Sequence, residues 1–228
     1  MNYRMYNFMY ALCYLPYKIC ENSTALGEEH LKQIEGPMLV ASNHTSPYDI
    51  PILFRHVPRY VDFVSTHEII NSKAGWLYKR MNAFPLDQHK PDPKATREII
   101  ARLKAGRTVA MFPEGALSFG DKSVLHGGPL VPGFGRIARL TKVPLVPCAI
   151  EDSLVFQRFT SWLPRQARYG IAFGEPMEPP TKAGGAEAID RYEAELGERI
   201  RALHKDLLEA MNLSPEQAAT RRRRAYRE

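Results

Sequence analysis

The chain has 228 residues, 44% of them hydrophobic and 25% charged, which suits one folded domain with a sizeable core. Disorder, collagen and coiled coil are excluded as overall descriptions, and no apolar run approaches the ~20 residues of a membrane-spanning helix. The net charge of +6 points to an anionic partner: a membrane surface, a nucleic acid, or a phosphorylated or CoA-like substrate. Three cysteines give neither a disulfide scaffold nor metal-ligand spacing, so a reducing compartment is expected.

Residues 1–24 stand apart in composition. Tyr3, Tyr6, Phe8, Tyr10, Tyr14 and Tyr17 are interleaved with Met1, Met5 and Met9 and flanked by Arg4 and Lys18. A signal peptide would need a purer apolar core and a small-residue cleavage site. The segment reads as a helix lying in the headgroup layer, where tyrosine rings are favoured. The competing reading is a helix packed on the core.

Met38–Ala41 is a short apolar run and reads as a buried strand, with a helix over Ile50–Phe54 after it. Tyr60–Ser65 reads as a strand and Trp76–Met81 as a helix. Pro93–Ala105 is a helix with Ile99, Ile100 and Leu103 inward, stopped by Gly106. Thr108–Phe112 is a buried strand, Gly133–Leu140 a helix, Val143–Ile150 a proline-interrupted strand and Arg168–Phe173 a late strand. Residues 186–211 form an amphipathic helix, because Ile189, Tyr192, Leu196, Ile200, Leu203 and Leu207 recur at helical steps. The alternation predicts a single α/β domain over residues 25–211, with a mostly parallel mixed sheet flanked by helices. Residues 212–228 lack apolar periodicity. They carry five arginines (Arg221–Arg224 and Arg227) against Glu216 and Glu228, and read as a basic, disordered tail. A basic run of this kind can hold anionic lipid; nucleic acid is not expected, because no accompanying fold motif is present.

Two segments carry chemistry. The first runs from Ser42 through Asn43, His44, Thr45, Ser46, Pro47 and Tyr48 to Asp49, between a buried strand and a helix. Ser46 suits the N-cap and Pro47 the first helical position. Asp49 then lies in the first turn and can reach back to one imidazole nitrogen of His44. That would fix the tautomer and leave the other nitrogen as a base for a substrate hydroxyl. On spacing alone, a capped helix with a satisfied histidine is the commoner outcome of such a pair. The second segment, Phe112, Pro113, Glu114 and Gly115, follows a strand at the end where α/β proteins place ligands. It reads as a substrate contact or as a strand-ending turn.

Taken together, Asn43-His44-x4-Asp49, Phe112-Pro113-Glu114-Gly115 and Val143-Pro144-Leu145-Val146-Pro147 resemble the glycerolipid acyltransferase family in order and spacing, over roughly residues 25–180. The resemblance implies that His44 is the general base and Asp49 its partner. It implies that Asn43, Phe112, Pro113, Glu114 and Gly115 serve the acceptor site. The acceptor would be a lysophospholipid, above all 1-acylglycerol 3-phosphate, and the donor an acyl thioester on CoA or acyl carrier protein, in phospholipid biosynthesis. No metal, further cofactor or covalent enzyme intermediate is implied. Amides near the helix start are candidates for stabilising the oxyanion. The expected location is peripheral or monotopic, on the cytoplasmic face of a membrane, with membrane lipids as partners. The rival readings are a different lysolipid or non-phosphate acceptor, or a non-catalytic lipid-binding protein of the same fold.

The departures from the family pattern concern charge. Gln88, Leu117 and Val131 stand where many members have basic residues associated with the acceptor phosphate. His89, Lys90, Lys122 and His126 are nearby residues able to compensate.

Overall fold

Every residue of Leu39–Ser42 is buried, which places this strand inside a sheet covered on both faces. The computed structural model describes residues 3–73, 75–87 and 92–225. Among them the sheet has seven strands: β1 (Thr24–Leu26), β2 (Leu39–Ser42), β3 (Val61–Thr66), β4 (Phe84–Leu86), β5 (Thr108–Met111), β6 (Leu145–Glu151) and β7 (Gly170–Phe173). Their order is β1-β7-β6-β2-β5-β3-β4, and every adjacent pair is parallel except β6–β7. The expected mixed, mostly parallel α/β sheet is the observed one.

Strand alternation divides the core. Val40, Phe63, Val146 and Ile171 face one side, where α1 (Tyr3–Cys20), α2 (Glu28–Lys32) and α3 (Asp49–His56) pack. Leu39, Val109 and Leu145 face the other, under α6 (Pro93–Lys104), α7 (Phe134–Thr141) and α8 (Gly185–Ala210). The start of α6 is fixed by sequence: Asp92 Oδ1 accepts from the amides of Lys94 and Ala95, and Pro93 takes the first turn. Two short helices, α4 (His67–Asn71) and α5 (Gly75–Arg80), connect β3 to β4. β1 and β4 have three residues each and lie at the sheet edges, too short to leave a period in the sequence.

α1 packs on the core, as the competing reading of the N-terminal segment expects, and also keeps an exposed apolar face. Tyr6 and Tyr17 are buried; the Tyr6 hydroxyl accepts from the Val61 amide at 3.1 Å, and its ring packs edge-on against Phe54 and Tyr60. The opposite face exposes Phe8, Leu12, Leu15 and Ile19, spaced four, three and four apart. The helix is thus both a core element and the carrier of an uncovered apolar stripe.

The basic tail is a correction. Residues Pro215–Ala225 form a helix, α9, and Leu213 and Ala218 are buried with Leu207, Leu208 and Met211 of the α8 end. Ser214 and Gln217 cap the turn reciprocally, and Arg221 pairs with Asp152 at 2.8 Å. The segment buries only two apolar side chains, Leu213 and Ala218, too few to register as periodicity. The side chains of Arg222, Arg223 and Arg224, and Arg227 with them, lie outside the described residues, as do Gln88, His89 and Lys90.

Candidate active site

The site is built where the carboxyl ends of β2 and β5 meet the amino end of α3. His44 Nδ1 lies 2.9 Å from Asp49 Oδ2. The same oxygen accepts the backbone N–H of Thr45 at 2.8 Å and of Ser46 at 2.9 Å. Asp49 is fully buried. An oxygen already receiving two N–H donors is a carboxylate oxygen, so the imidazole nitrogen beside it is the protonated one. Nε2 is then the ring nitrogen left for a substrate, and His44 is among the residues that line a cavity. The turn is held from below as well. Ser46 Oγ accepts from the Tyr48 amide and donates to Ser153 Oγ, which also lies 3.3 Å from Thr45 Oγ1.

Asn43 turns away from the cavity. It is fully buried, its Nδ2 donates to the Ile150 carbonyl at 3.0 Å and its Oδ1 accepts from the Ile150 amide at 2.7 Å. This overturns Asn43 as an acceptor contact: its amide continues the β2–β6 pairing for one more step where the strands part. Asn43→Ala removes the side-chain partner of two buried backbone groups, the N–H and the C=O of Ile150. It is expected to lower the unfolding free energy by about 1–3 kcal/mol in a denaturant titration, while KM for the acceptor stays at its wild-type value.

Glu114 is likewise engaged by protein donors. Oε2 accepts from the backbone N–H of His44 at 2.6 Å, and Oε1 from Ser123 Oγ at 2.8 Å and the Val124 amide at 2.7 Å. Burial holds this carboxyl above its ordinary range, opposed by those three donors and by nearby His44. The Ser118 amide donates to the His44 carbonyl at 2.9 Å, so both backbone groups of His44 are tied to the segment after β5. Glu114 is therefore placed as a strut for His44 rather than as a direct substrate ligand. Glu114→Gln keeps one acceptor oxygen but faces the opposite donors with an NH2 group. A fall in kcat larger than any change in acceptor KM is the expected kinetic signature.

Phe112 stacks on the His44 imidazole, with ring centroids 3.8 Å apart and planes 9° from parallel. Pro113 accepts the Val131 amide at 2.7 Å, which pins a second loop beside the turn. Gly115 has φ of +74°, and a Cβ there would sit 2.8 Å from Val131 Cγ2. His44, Phe112 and Gly115 line a cavity of about 450 Å³ whose walls include Ile50, Phe63, Ile69, Leu86 and Met111. No Lys or Arg is among its described lining residues; the carboxylate there is Glu68. Leu117 lines the same cavity and Val131 adjoins Gly115, so two of the three uncharged departures lie at the site.

The Thr45 and Ser46 amides just before the helix start both donate to Asp49 and are therefore not free for an oxyanion. Ser118, Ser123 and Ser153 escaped the sequence reading. Ser123 acts across a short loop, and Ser118 and Ser153 through partners in the distant His44–Ser46 turn, which no local spacing signals.

Comparison with known proteins gives one consistent answer. Residues 22–151 match the family model described as Acyltransferase. A 1-acyl-sn-glycerol-3-phosphate acyltransferase of Bacillus subtilis is 26% identical over 206 residues, covering 84% of this chain and 98% of the relative. A chloroplastic enzyme of the same title from Brassica napus is 30% identical over 128 residues, 54% of this chain and 36% of the relative. The crystal structure of the 1-acyl-sn-glycerophosphate (LPA) acyltransferase PlsC from Thermotoga maritima superposes with a TM-score of 0.64 at 21% identity, covering 90% of this chain and 78% of that one. That last likeness is one of fold.

Proposed function

We propose, for a chain that belongs to the acyltransferase family, that it moves an acyl group from a thioester of CoA or acyl carrier protein to the hydroxyl of a lysolipid. The observation that carries the reading is a His44–Asp49 pair, its aspartate fully buried, whose histidine lines a largely apolar cavity. The acceptor hydroxyl sits against His44 Nε2 and loses its proton as its oxygen attacks the thioester carbonyl. The tetrahedral intermediate collapses and the thiolate leaves, taking up the proton from the imidazolium. Asp49 holds the ring and stabilises its charged form in between. Phe112 keeps the imidazole plane fixed, and Glu114 keeps its backbone fixed. The apolar walls suit an acyl chain and exclude water that would hydrolyse the thioester.

The acceptor in the names of the relatives, 1-acylglycerol 3-phosphate, is the first to assay. A second acceptor class, with the phosphate masked or absent, is favoured by the cavity lining, which among the described residues offers a carboxylate and no cation. A thiol-release assay with purified protein tests the proposal, with both donor carriers and a panel of lysolipids. Absence of thiol release with every pair refutes acyl transfer and leaves the lipid-binding alternative.

Work at a membrane surface, on the cytoplasmic side where acyl thioesters are held, belongs to the same proposal. No helix among the described residues is long and apolar enough to cross a membrane, whereas α1 exposes an apolar stripe. Such a stripe on a helix otherwise docked to the core suits attachment in the interfacial plane. The triple change Phe8→Ser, Leu12→Ser, Leu15→Ser is expected to release the protein from vesicles in co-sedimentation while leaving its thermal midpoint intact. Deleting residues 1–20 is expected to unfold it, because Tyr6 and Tyr17 go with the stripe. Retention of the triple variant on vesicles removes the stripe as the attachment.

A further inference from the structure

A second cavity, of about 310 Å³, lies away from His44, between α9 and the segment that follows β6. Arg158, Arg168, Arg221 and Gln166 line it, with Asp152 as its carboxylate. Among the described lining residues, three arginines stand against one carboxylate, a surplus of two positive charges beside a space of small-molecule size. The Arg221 contact to Asp152 and the Arg168 contact to the Met211 carbonyl each occupy a single nitrogen of the guanidinium. A guanidinium carries five N–H donors, so both retain donors for a further acceptor. Three arginines in one cavity wall, two of them with donors to spare, match the oxygens of a phosphate.

The surroundings of the cavity indicate where that phosphate comes from. Arg158 is followed directly by Phe159, which is 85% exposed, and then by exposed Trp162 and Leu163; Gln166 and Arg168 close the same loop. The loop is fastened to the end of α1. Trp162 packs edge-on to Tyr17, its carbonyl accepts from Cys20 Sγ, and the Arg165 amide donates to the Ile19 carbonyl. Phe159, Trp162 and Leu163 therefore stand at the Cys20 end of α1, the helix that carries the exposed Phe8, Leu12, Leu15 and Ile19. An aromatic tip of this kind suits the acyl–headgroup boundary, and the arginines flanking it in the chain then stand at headgroup level.

We propose that this cavity binds the phosphate headgroup of an anionic bilayer phospholipid, as a site separate from the active site. The inference rests on the membrane-surface reading above. It adds to the apolar stripe a polar anchor that fixes how the enzyme lies on the bilayer. The 3-10 turn Ser153–Gln157 supplies Leu154 and Val155 to the cavity wall and, through Ser153, touches Thr45 and Ser46 of the catalytic turn. A headgroup seated there is thus one hydrogen-bonded step from the residues that hold Asp49.

The test is co-sedimentation of the full chain with vesicles of phosphatidylcholine alone and of phosphatidylcholine doped with phosphatidylglycerol. The variants are Arg158→Gln, Arg221→Gln, their combination, and Lys104→Gln, which removes an exposed cation from α6 on the opposite face of the sheet. Each arginine change is expected to weaken partition onto the doped vesicles about fivefold, the equivalent of roughly 1 kcal/mol per basic residue at an anionic surface. Partition onto pure phosphatidylcholine and the Lys104→Gln protein are expected to stay at wild-type values. An unchanged double variant overturns the site, and so does an equal loss with Lys104→Gln, which would show diffuse charge. Glycerol phosphate that binds the wild type through Arg158 and Arg221 without displacing vesicles assigns the cavity to a soluble anion and overturns the lipid assignment. A wild type that binds neither vesicle overturns the membrane reading together with this one, whereas failure confined to the doped vesicles leaves that reading standing. Circular dichroism and turnover of a monomeric acceptor confirm that each variant is folded.

Discussion

His44→Ala is expected to lower kcat by about 10²–10⁴-fold, the range of a lost general base, with little change in the thermal midpoint. The side chain touches the protein mainly through Asp49 and Phe112, and its backbone bonds to Glu114 and Ser118 survive the change. Asp49→Asn tests the other half of the pair. The amide can still accept from Thr45 and Ser46 through its oxygen, so the turn is expected to persist. What is lost is the charge that stabilises the imidazolium and the tautomer that frees Nε2, and a kcat loss of about 10²-fold or more is expected. The measurements are single-turnover thiol release and a melting curve for each variant. Folded His44→Ala protein that turns over within a few fold of wild type would remove the mechanism.

Leu117→Arg should change which acceptor is used. Leu117 lines the active-site cavity, is 44% exposed and stands next to Ala116 on the turn after Gly115. A phosphomonoester carries nearly two negative charges at neutral pH, and a cavity offering Glu68 without a described cation does not compensate them. One charge-assisted contact is worth roughly 1.5–3 kcal/mol, so the new arginine is expected to raise kcat/KM for 1-acylglycerol 3-phosphate by about tenfold or more. It is expected to lower kcat/KM for an acceptor without that phosphate. Val131→Lys, from the loop against Gly115, is expected to act in the same direction. The second acceptor reading fails if wild type already prefers 1-acylglycerol 3-phosphate, Lys122→Ala leaves that preference intact, and Leu117→Arg does not improve it.

Local pattern determined the class of fold and the place of the pair. Apolar runs such as Thr108–Phe112, turns at Gly106 and Gly115, and helical spacing in 186–211 are one-dimensional signals, and they fixed the α/β alternation. Asp49 five residues after His44 is also a local relation, because a single turn brings the two together; the observed 2.9 Å contact follows from it. Roles that depend on distant partners were settled only in three dimensions. Asn43 and Glu114 have the composition of substrate ligands, yet each is held by protein donors from Ile150, or from His44, Ser123 and Val124. A polar side chain in a motif does not announce whether its partner is a ligand or a peptide bond. α1 carried enough apolar surface for two faces, and only packing decided that Tyr6 and Tyr17 turn inward while Phe8, Leu12 and Leu15 remain outside. α9 is the clearest case. Its stability comes from Leu213 and Ala218 against the end of α8 and from the Arg221–Asp152 pair, contacts that exist only once the sheet has placed β6 and α8 beside it.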